Sequence, residues 1–343
     1  MQLDQTHLTV RARTFSEIGD LSLLLLRRYP GAIAIGFVVG AFPWACCNAL
    51  LLGHLPWAEF QDGIVDEETF SARIRYVSLM AVLVFLQTPL AGCFTTYYLG
   101  QAVFEQRPTW RNVFGACVQV LGRLLWSCGV YRLTLPVMLL LALNWGGEFE
   151  PFSEAVLLPC ALIVVVALRA LRPFAPEILL LERCPFRSRA SGTITARQRS
   201  HLLHSPLSGE LTGRYFLLSL MTIALTTCIF LGLLSLRGFF FAQWNWLWHH
   251  GDWLLPDVAL LWYPLALWLV GAVSVFFRFL AYLDARIRLE GWEVELLIRA
   301  EAARQRGTRQ VHPLAKDGRG DRDDGGRRQA SEAATAATVE LTR

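Results

Sequence analysis

The chain has 343 residues, of which 54% are hydrophobic and only 17% are charged, and its formal net charge is +4. Soluble domains carry roughly 25% charged residues, so this composition excludes an ordinary soluble protein, which would expose large apolar patches. We therefore expect the lipid bilayer to be the main partner of this chain, and the small net charge gives no reason to expect nucleic acid.

Six apolar runs are long enough to cross about 30 Å of hydrocarbon, which takes about 20 helical residues. They predict an all-α, multi-pass membrane domain over residues 1–305, followed by a disordered cytoplasmic tail at 306–343 that is polar and rich in Gly, Arg and Asp. The predicted spans lie near residues 31–53, 76–103, 128–145, 152–171, 215–236 and 258–277. Within the first span, the spacing of Gly36 and Gly40 suits close helix packing.

Arginines are concentrated on one side of the predicted spans. Segments 1–30, 104–127 and 173–214 contain four, three and six arginines. The loops between them carry far fewer, and basic residues are enriched in cytoplasmic loops of membrane proteins. We therefore expect an inner-membrane protein with both termini in the cytoplasm.

Two stretches beside the spans are typical of amphipathic helices that lie in the membrane interface. Residues 14–29 begin with Thr14 and Glu17, which match a capping box. Residues 110–126 repeat the same pattern at an offset of 95, and a weaker third copy ends at Arg214. The pattern favours a threefold parallel repeat of one interfacial helix and two spans. The alternative is that multi-pass proteins commonly enter their spans through amphipathic segments.

A further amphipathic helix is predicted at residues 283–304. The pairs Asp284–Arg288 and Arg286–Glu290 are spaced four residues apart, which supports a helix. Its apolar residues form two stripes, whereas a helix that lies on lipid alone needs only one. We expect the stripe containing Leu289 and Trp292 to dock near Glu177–Arg183 and the first interfacial helix. The stripe containing Ile287 should face lipid or a protein partner.

Three stretches resemble a bacterial family: the opening from Arg13 to Pro30, the stretch from Pro176 to Arg183, and the ending from Tyr282 to Leu297. They are similar to the membrane domain of some glycerophosphoryl diester phosphodiesterases and to related stand-alone proteins of unknown function. The resemblance implies a six-span helical fold. It does not imply phosphodiesterase activity, because the catalytic barrel of those enzymes is a separate soluble domain.

Chemical motifs are absent from the sequence. There is no nucleophile elbow, phosphate-binding glycine loop or zinc-protease motif, so we expect no enzyme activity, cofactor or metal. The pair His201 and His204 is expected to be solvated in a cytoplasmic loop. The eight cysteines are expected to be free and to serve as small apolar residues.

Charged residues in or near the spans are the best candidates for a functional site, because an intramembrane charge is costly. Arg132 lies inside the third predicted span, where it either pairs with a carboxylate or extends to the interface. Arg169, Arg172 and Arg278 are expected to extend to the interface. The candidate structural or functional positions are Arg132, Glu177, Glu182, Arg183, Asp284 and Trp292.

The function predicted from these features is that of a non-catalytic membrane protein. It would scaffold or assist an envelope process through its cytoplasmic interfacial helices, with the 283–304 helix as the surface for a protein partner. The alternative is a transporter or channel for a small or lipidic solute. A transporter of polar solutes needs polar residues deep in several spans, and the main ones here are Asn48, Gln87, Thr88 and Arg132.

Overall fold

The computed structural model describes residues 13–55, 67–103, 108–143, 156, 158–186, 194–241 and 258–290. All regular secondary structure in these ranges is helical, as predicted. Trp292, the rest of the predicted 283–304 helix after Glu290, and the predicted tail lie outside the described residues.

Helix α1 (Phe15–Arg28) begins with the capping box predicted from the sequence. The Oγ1 atom of Thr14 accepts from the backbone N–H of Glu17, and the Glu17 carboxylate accepts from the backbone N–H of Thr14 at 3.1 Å. Both partners lie within three residues of each other, so this start needs no tertiary contact. The buried residues of α1 are Ile18, Ser22 and Leu25.

Helix α2 (Ala32–Leu52) packs closely against the following pair, α3 (Glu67–Ala91) and α4 (Cys93–Ala102). A Cβ atom at Gly40 would lie 2.0 Å from the carbonyl oxygen of Ala91, and one at Gly36 would lie 3.0 Å from the Thr95 hydroxyl. The two glycines therefore let the backbones approach, which confirms the packing role predicted for this pair.

Two helical paths are interrupted inside the bundle. Helix α5 (Trp110–Val130) stops before α6 (Thr134–Leu143), and Leu133 between them has a φ of 59°. Helix α7 (Leu158–Leu171) is followed by a turn and then by α8, which runs Ala175–Glu177 and continues as Ile178–Glu182. The two interruptions are adjacent, because the Arg132 side chain donates to the backbone carbonyl of Arg172 at 2.6 Å.

The last three helices are α9 (Ala196–His204), α10 (Ser208–Phe241) and α11 (Val258–Glu290). Helix α10 is about 50 Å long at 1.5 Å per residue. Only 6% of its apolar stretch is buried against the rest of the protein. Helix α11 runs without a break from the last predicted span into residues 283–290. This part of the predicted interfacial helix therefore extends α11 instead of forming a separate element.

The hydrophobic core of the described residues has one region between α2, α3 and α11 and a second that joins α1, α4, α8 and α11. A third, smaller region packs α5 against α4 and α8. The second region contains Ala285, with Leu289 packed against it, as expected for the stripe that docks on the bundle. The other stripe is also covered, since Leu283 and Ile287 are each 5% exposed. The prediction that the Ile287 stripe faces lipid or a partner was wrong here, because α1 packs along this end of α11.

Five helices of the described chain are long and apolar enough to cross a membrane, which indicates a multi-pass membrane protein. They are Ala32–Leu52, Ala72–Ala102, Trp110–Val130, Ser208–Phe241 and Val258–Glu290. The predicted third and fourth spans appear as the shorter helices α6 and α7, with 10 and 14 residues. Each of these two helices has an interruption described above at one end and residues outside the described ranges at the other, so the described residues contain five long spans and not the six expected.

Candidate functional site

A first polar group surrounds Asp284, which is 1% exposed. Its carboxylate accepts from the backbone N–H of Arg13 at 2.8 Å and pairs with Arg214 at 2.9 Å and with Arg288 at 3.1 Å. Both arginines also reach Glu210 on α10, at 2.6 and 3.0 Å. We call these five residues the Asp284 group; it fastens the start of α1 and the start of α10 to the end of α11.

A second polar group surrounds Glu182 at the end of α8. Its carboxylate accepts from Nε of Arg199 at 2.5 Å and from the Tyr282 hydroxyl at 2.6 Å. Arg199 also pairs with Glu290, which in turn pairs with Arg286 at 2.7 Å. These five residues form the Glu182 group, which fastens α8 and α9 to α11. The cluster of carboxylates raises the pKa of the Arg199 guanidinium above its ordinary value, against the opposing effect of burial.

Arg183 takes a less central place than expected. It is exposed, its φ is 53°, and it donates to the Tyr97 hydroxyl at 3.2 Å. Left-handed backbone is uncommon for residues other than glycine. Within the described ranges, Leu133 and Arg183 are the non-glycine residues with positive φ, and each is a candidate position or the neighbour of one.

A third polar group lies deeper in the bundle, beside the two interrupted paths. Glu177 is completely buried, and one of its oxygens pairs with Nε of Arg278 at 2.6 Å. Arg169 is 6% exposed and donates to the backbone carbonyls of Phe85 and Leu86 at 2.7 and 3.0 Å, near the middle of the Ala72–Ala102 helix. Its guanidinium also lies 4.0 Å from the centre of the Phe85 ring.

Arg132 belongs to the same region and is 5% exposed. Its hydrogen bond to the Arg172 carbonyl differs from both expectations, which were a carboxylate partner or an extended side chain at the interface. Arg169 is likewise buried rather than extended, and Arg278 pairs with Glu177. Of the four arginines considered from the sequence, Arg172 alone exposes its side chain. The acceptors of both buried arginines are backbone carbonyls. Arg132 uses the Arg172 carbonyl at a helix interruption, whereas Arg169 uses two carbonyls inside α3, one of which, that of Phe85, lies four residues before Pro89 and so has no helical donor.

His204 and Tyr215 complete this third group. His204 is 6% exposed, so the prediction of a solvated histidine was wrong for it. Burial lowers its pKa, and the nearby charges of Arg132 and Arg172 lower the pKa further. Its Nδ1 atom bonds to the carbonyl of Ser200, which leaves Nε2 as an unprotonated acceptor. The Tyr215 hydroxyl lies within hydrogen-bonding range of Arg169 and also interacts electrostatically with Arg132 and Arg278.

Several buried atoms of this third group have no hydrogen-bond partner among the described residues. They are Nε of Arg169, the second carboxylate oxygen Oε2 of Glu177, Nε2 of His204, the hydroxyl of Tyr215 and Nη2 of Arg278. We call Arg132, Arg169, Glu177, His204, Tyr215 and Arg278 the inner cluster. Unpaired buried polar atoms are costly, so their concentration in one place requires an explanation.

The deep polar residues considered for transport are placed differently. Asn48 and Gln87 bond reciprocally through their amide groups, at 2.7 and 2.8 Å, and both are buried. Thr88 donates to the carbonyl of Val84. These residues satisfy each other or the backbone, so they hold α2 against α3 rather than offering groups to a solute.

All eight cysteines are free, and three of them are buried. No group of three or more His, Cys, Asp or Glu residues that could hold a metal ion occurs in the part of the chain that the structure describes.

Sequence reasoning identified Glu177, Glu182 and Asp284 and the helical pairs Asp284–Arg288 and Arg286–Glu290, all of which take part in polar groups. It missed Arg199 and Arg214, which resemble ordinary loop and helix-entry arginines. The sequence does not indicate these two ion pairs because each partner lies far away along the chain: Arg214 pairs with Asp284 across 70 residues.

Trp292 lies outside the described residues. No family model, curated protein or solved structure matches this chain.

Proposed function

We propose that this protein is a non-catalytic component of the bacterial inner membrane that scaffolds or assists an envelope process. It would do so through the end of the bundle where α11 ends at Glu290. The observation that carries the proposal is the pair of ion networks at this end, the Asp284 group and the Glu182 group. Removing two opposite charges from water costs several kcal/mol per ion, so such pairs add little stability. Their contribution is to hold α1, α8, α9 and α10 in one arrangement around the end of α11. A fixed arrangement of helices suits a surface that a protein partner recognises.

The membrane arrangement that belongs to this proposal has six crossings and both termini in the cytoplasm. The predicted third and fourth crossings are then made by α6 and α7 together with the segments beyond their interruptions. Helices α1 and α5 begin after Thr14 and Thr109, 95 residues apart, which supports an internal repeat with interfacial helices. The resemblance to the membrane domain of glycerophosphoryl diester phosphodiesterases favours the same arrangement. A reporter that works only in the cytoplasm should be active when fused after Arg343, and inactivity would reverse the orientation.

The surface proposed for a partner includes α9 and the part of the sequence-predicted 283–304 helix that follows Glu290. Three large apolar side chains near α9 are exposed: Phe186, Ile194 and Leu202, at 43%, 49% and 55%. The backbone N–H of Ala196 donates to the carbonyl of Pro185 at 3.0 Å, so the chain before residue 187 and the chain after residue 193 are held together. Exposed apolar side chains framed by charged groups are typical of interaction surfaces.

A photo-crosslinking amino acid at Leu202 tests this function in living cells. We expect a protein adduct of one defined mass, and we expect only lipid adducts from Ile223, which is 66% exposed in the middle of α10. Arg199→Gln should weaken the Leu202 adduct, because it opens the Glu182 group that holds α9. If Leu202 and Ile223 give the same adducts, the scaffolding proposal fails.

The second candidate is a transporter or channel for a small or lipidic solute. It is favoured by the two adjacent helix interruptions at Tyr131–Leu133 and Arg172–Phe174, since discontinuous helices commonly line solute sites in transporters. Purified protein in vesicles should then move a fluorescent lipid or an anion across the bilayer, and Arg132→Gln should slow this movement. Rates equal to those of protein-free vesicles would remove this candidate.

A further inference from the structure

We propose that the inner cluster binds an oxyanion of the phosphate class that carries at least one P–OH group. This inference goes beyond the proposed function and does not depend on it. It rests on the charge of the cluster, on its unpaired buried donors and on its unpaired buried acceptors.

The charge of the inner cluster is positive. Arg132, Arg169 and Arg278 contribute three cationic groups, and Arg169 interacts with both of the others. Among the described residues, Glu177 is the carboxylate that acts on this cluster. With His204 neutral, the net charge is +2 in a region where the arginine and glutamate side chains are largely removed from water. Guanidinium groups do not lose their protons in proteins, and an uncompensated buried charge is strongly unfavourable.

A bound anion removes this imbalance, whereas a water molecule does not. Water could satisfy individual hydrogen bonds, but it leaves the repulsion among the three arginines unchanged. Buried donors of the right kind are also present: Nε of Arg169, Nη2 of Arg278 and the hydroxyl of Tyr215 make no well-aligned hydrogen bond, and the Tyr215 hydroxyl lies beside Arg169. Arginine presents its donors in a planar fork that matches the oxygens of phosphate.

The unpaired acceptors narrow the class of anion. Oε2 of Glu177 and Nε2 of His204 are buried, lack partners and can only accept while these groups are unprotonated. A fully deprotonated oxyanion, such as sulfate at neutral pH, offers them no hydrogen. Hydrogen phosphate at neutral pH, and a phosphomonoester in its monoanionic form, carry a P–OH group that can donate to one of these acceptors. A phosphodiester lacks that group, so we expect monoesters to bind better than diesters.

The same chemistry could come from free phosphate or from a lipid with a phosphomonoester head group. A lipid source fits the surroundings of two cluster residues, because Arg169 lies on α7 and Tyr215 lies on α10. The outward sides of these helices expose apolar residues such as Ile163 and Phe216, at 67% and 73%. The experiment therefore uses one soluble and one lipidic phosphate.

The full chain is purified in detergent without phosphate and titrated by calorimetry and thermal melting with four probes at equal ionic strength. The probes are inorganic phosphate, sulfate, phosphatidic acid and phosphatidylglycerol, with chloride as the reference. We expect phosphate to raise Tm and to bind at least tenfold more tightly than sulfate. If phosphatidic acid binds and inorganic phosphate does not, the site is one for a lipid head group. Equal responses to phosphate, sulfate and chloride, or no response to any probe, would overturn the proposal.

Two variants assign the response to the inner cluster. Tyr215→Phe removes one hydroxyl and keeps the ring, and we expect it to weaken phosphate affinity roughly tenfold, because a hydrogen bond to a charged group is lost. Its matched control is Tyr263→Phe, since the Tyr263 hydroxyl donates to the carbonyl of Val77 away from the cluster. The control should keep the full response. Arg169→Gln should abolish binding, and if it fails to fold, Tyr215→Phe still decides. Unchanged affinity in Tyr215→Phe would contradict the placement of the anion.

Discussion

Asp284 is the position where a single substitution tests the ionic architecture of this protein most directly. Its carboxylate is 1% exposed, accepts from the backbone N–H of Arg13 and Nη1 of Arg214, and forms an ion pair with Arg288. Asp284→Ala removes the acceptor from both donors and the anion from the pair with Arg288. Breaking a buried pair by removing one partner costs about 3–5 kcal/mol. We expect the lower end of this range, because the side chains of Arg214 and Arg288 are 16% and 25% exposed and keep some water.

The matched substitutions separate charge from hydrogen bonding. Asp284→Asn keeps one oxygen for the Arg13 N–H and loses the charge, so we expect a smaller loss of about 1.5–3 kcal/mol. Glu210→Gln removes a carboxylate that pairs with the same two arginines, but the Glu210 side chain is 43% exposed. Exposed pairs contribute about 0–1 kcal/mol, and Glu210→Gln should therefore change stability by less than about 1 kcal/mol.

The assay is reversible unfolding of the purified proteins in mixed micelles with increasing sodium dodecyl sulfate, followed by tryptophan fluorescence. The free energy of unfolding is compared among the native protein and the three variants. The double variant Asp284→Ala with Arg214→Gln should lose less free energy of unfolding than the two single variants lose in sum, because contacting residues couple by about 0.5–3 kcal/mol. Equal losses for Asp284→Asn and Glu210→Gln, both below about 1 kcal/mol, would refute the reasoning that burial makes this carboxylate important.

Three further predictions use other parts of the bundle. Arg132→Leu should lower the free energy of unfolding by about 1–3 kcal/mol, because the carbonyl at the α7 interruption loses its donor; a neutral effect in the same assay would place this side chain in water. Gly40→Ala should destabilise by about 1–3 kcal/mol, since its Cβ meets a backbone carbonyl. Gly232→Ala, with nothing within 4 Å, should stabilise by about 0.5–1 kcal/mol. Burial lowers the pKa of His204, so at about pH 6.5 and below the unfolded chain binds a proton that the folded protein does not bind. The free energy of unfolding should therefore fall between pH 7.5 and 5.5 by up to about 1.4 kcal/mol per pH unit. The same dependence of this free energy on pH in His204→Gln and in the native protein would contradict the prediction.

The sequence by itself determined the local features of this protein. Apolar composition and long apolar runs predicted a helical membrane protein. Thr14 and Glu17 predicted the start of α1, because a capping box joins residues three positions apart. The spacing of Asp284 and Arg288 predicted an ion pair for the same reason. Gly36 and Gly40 predicted a close helix contact, since removing side chains from one helix face permits it with any neighbour.

The tertiary structure decided which groups these local features meet. Apolar periodicity shows that a face leaves water but does not identify what covers it, so the stripe of Ile287 proved to be buried at the end of α11 that packs on α1. Arg132 is held by a backbone carbonyl at a helix interruption and Arg169 by two carbonyls inside α3, which no sequence spacing indicated. Asp284 meets the N–H of Arg13 across 271 residues. Such partners depend on how the helices fold back on one another, and a carboxylate near a helix end has the same sequence signature whether it faces water or donors from distant segments of the chain.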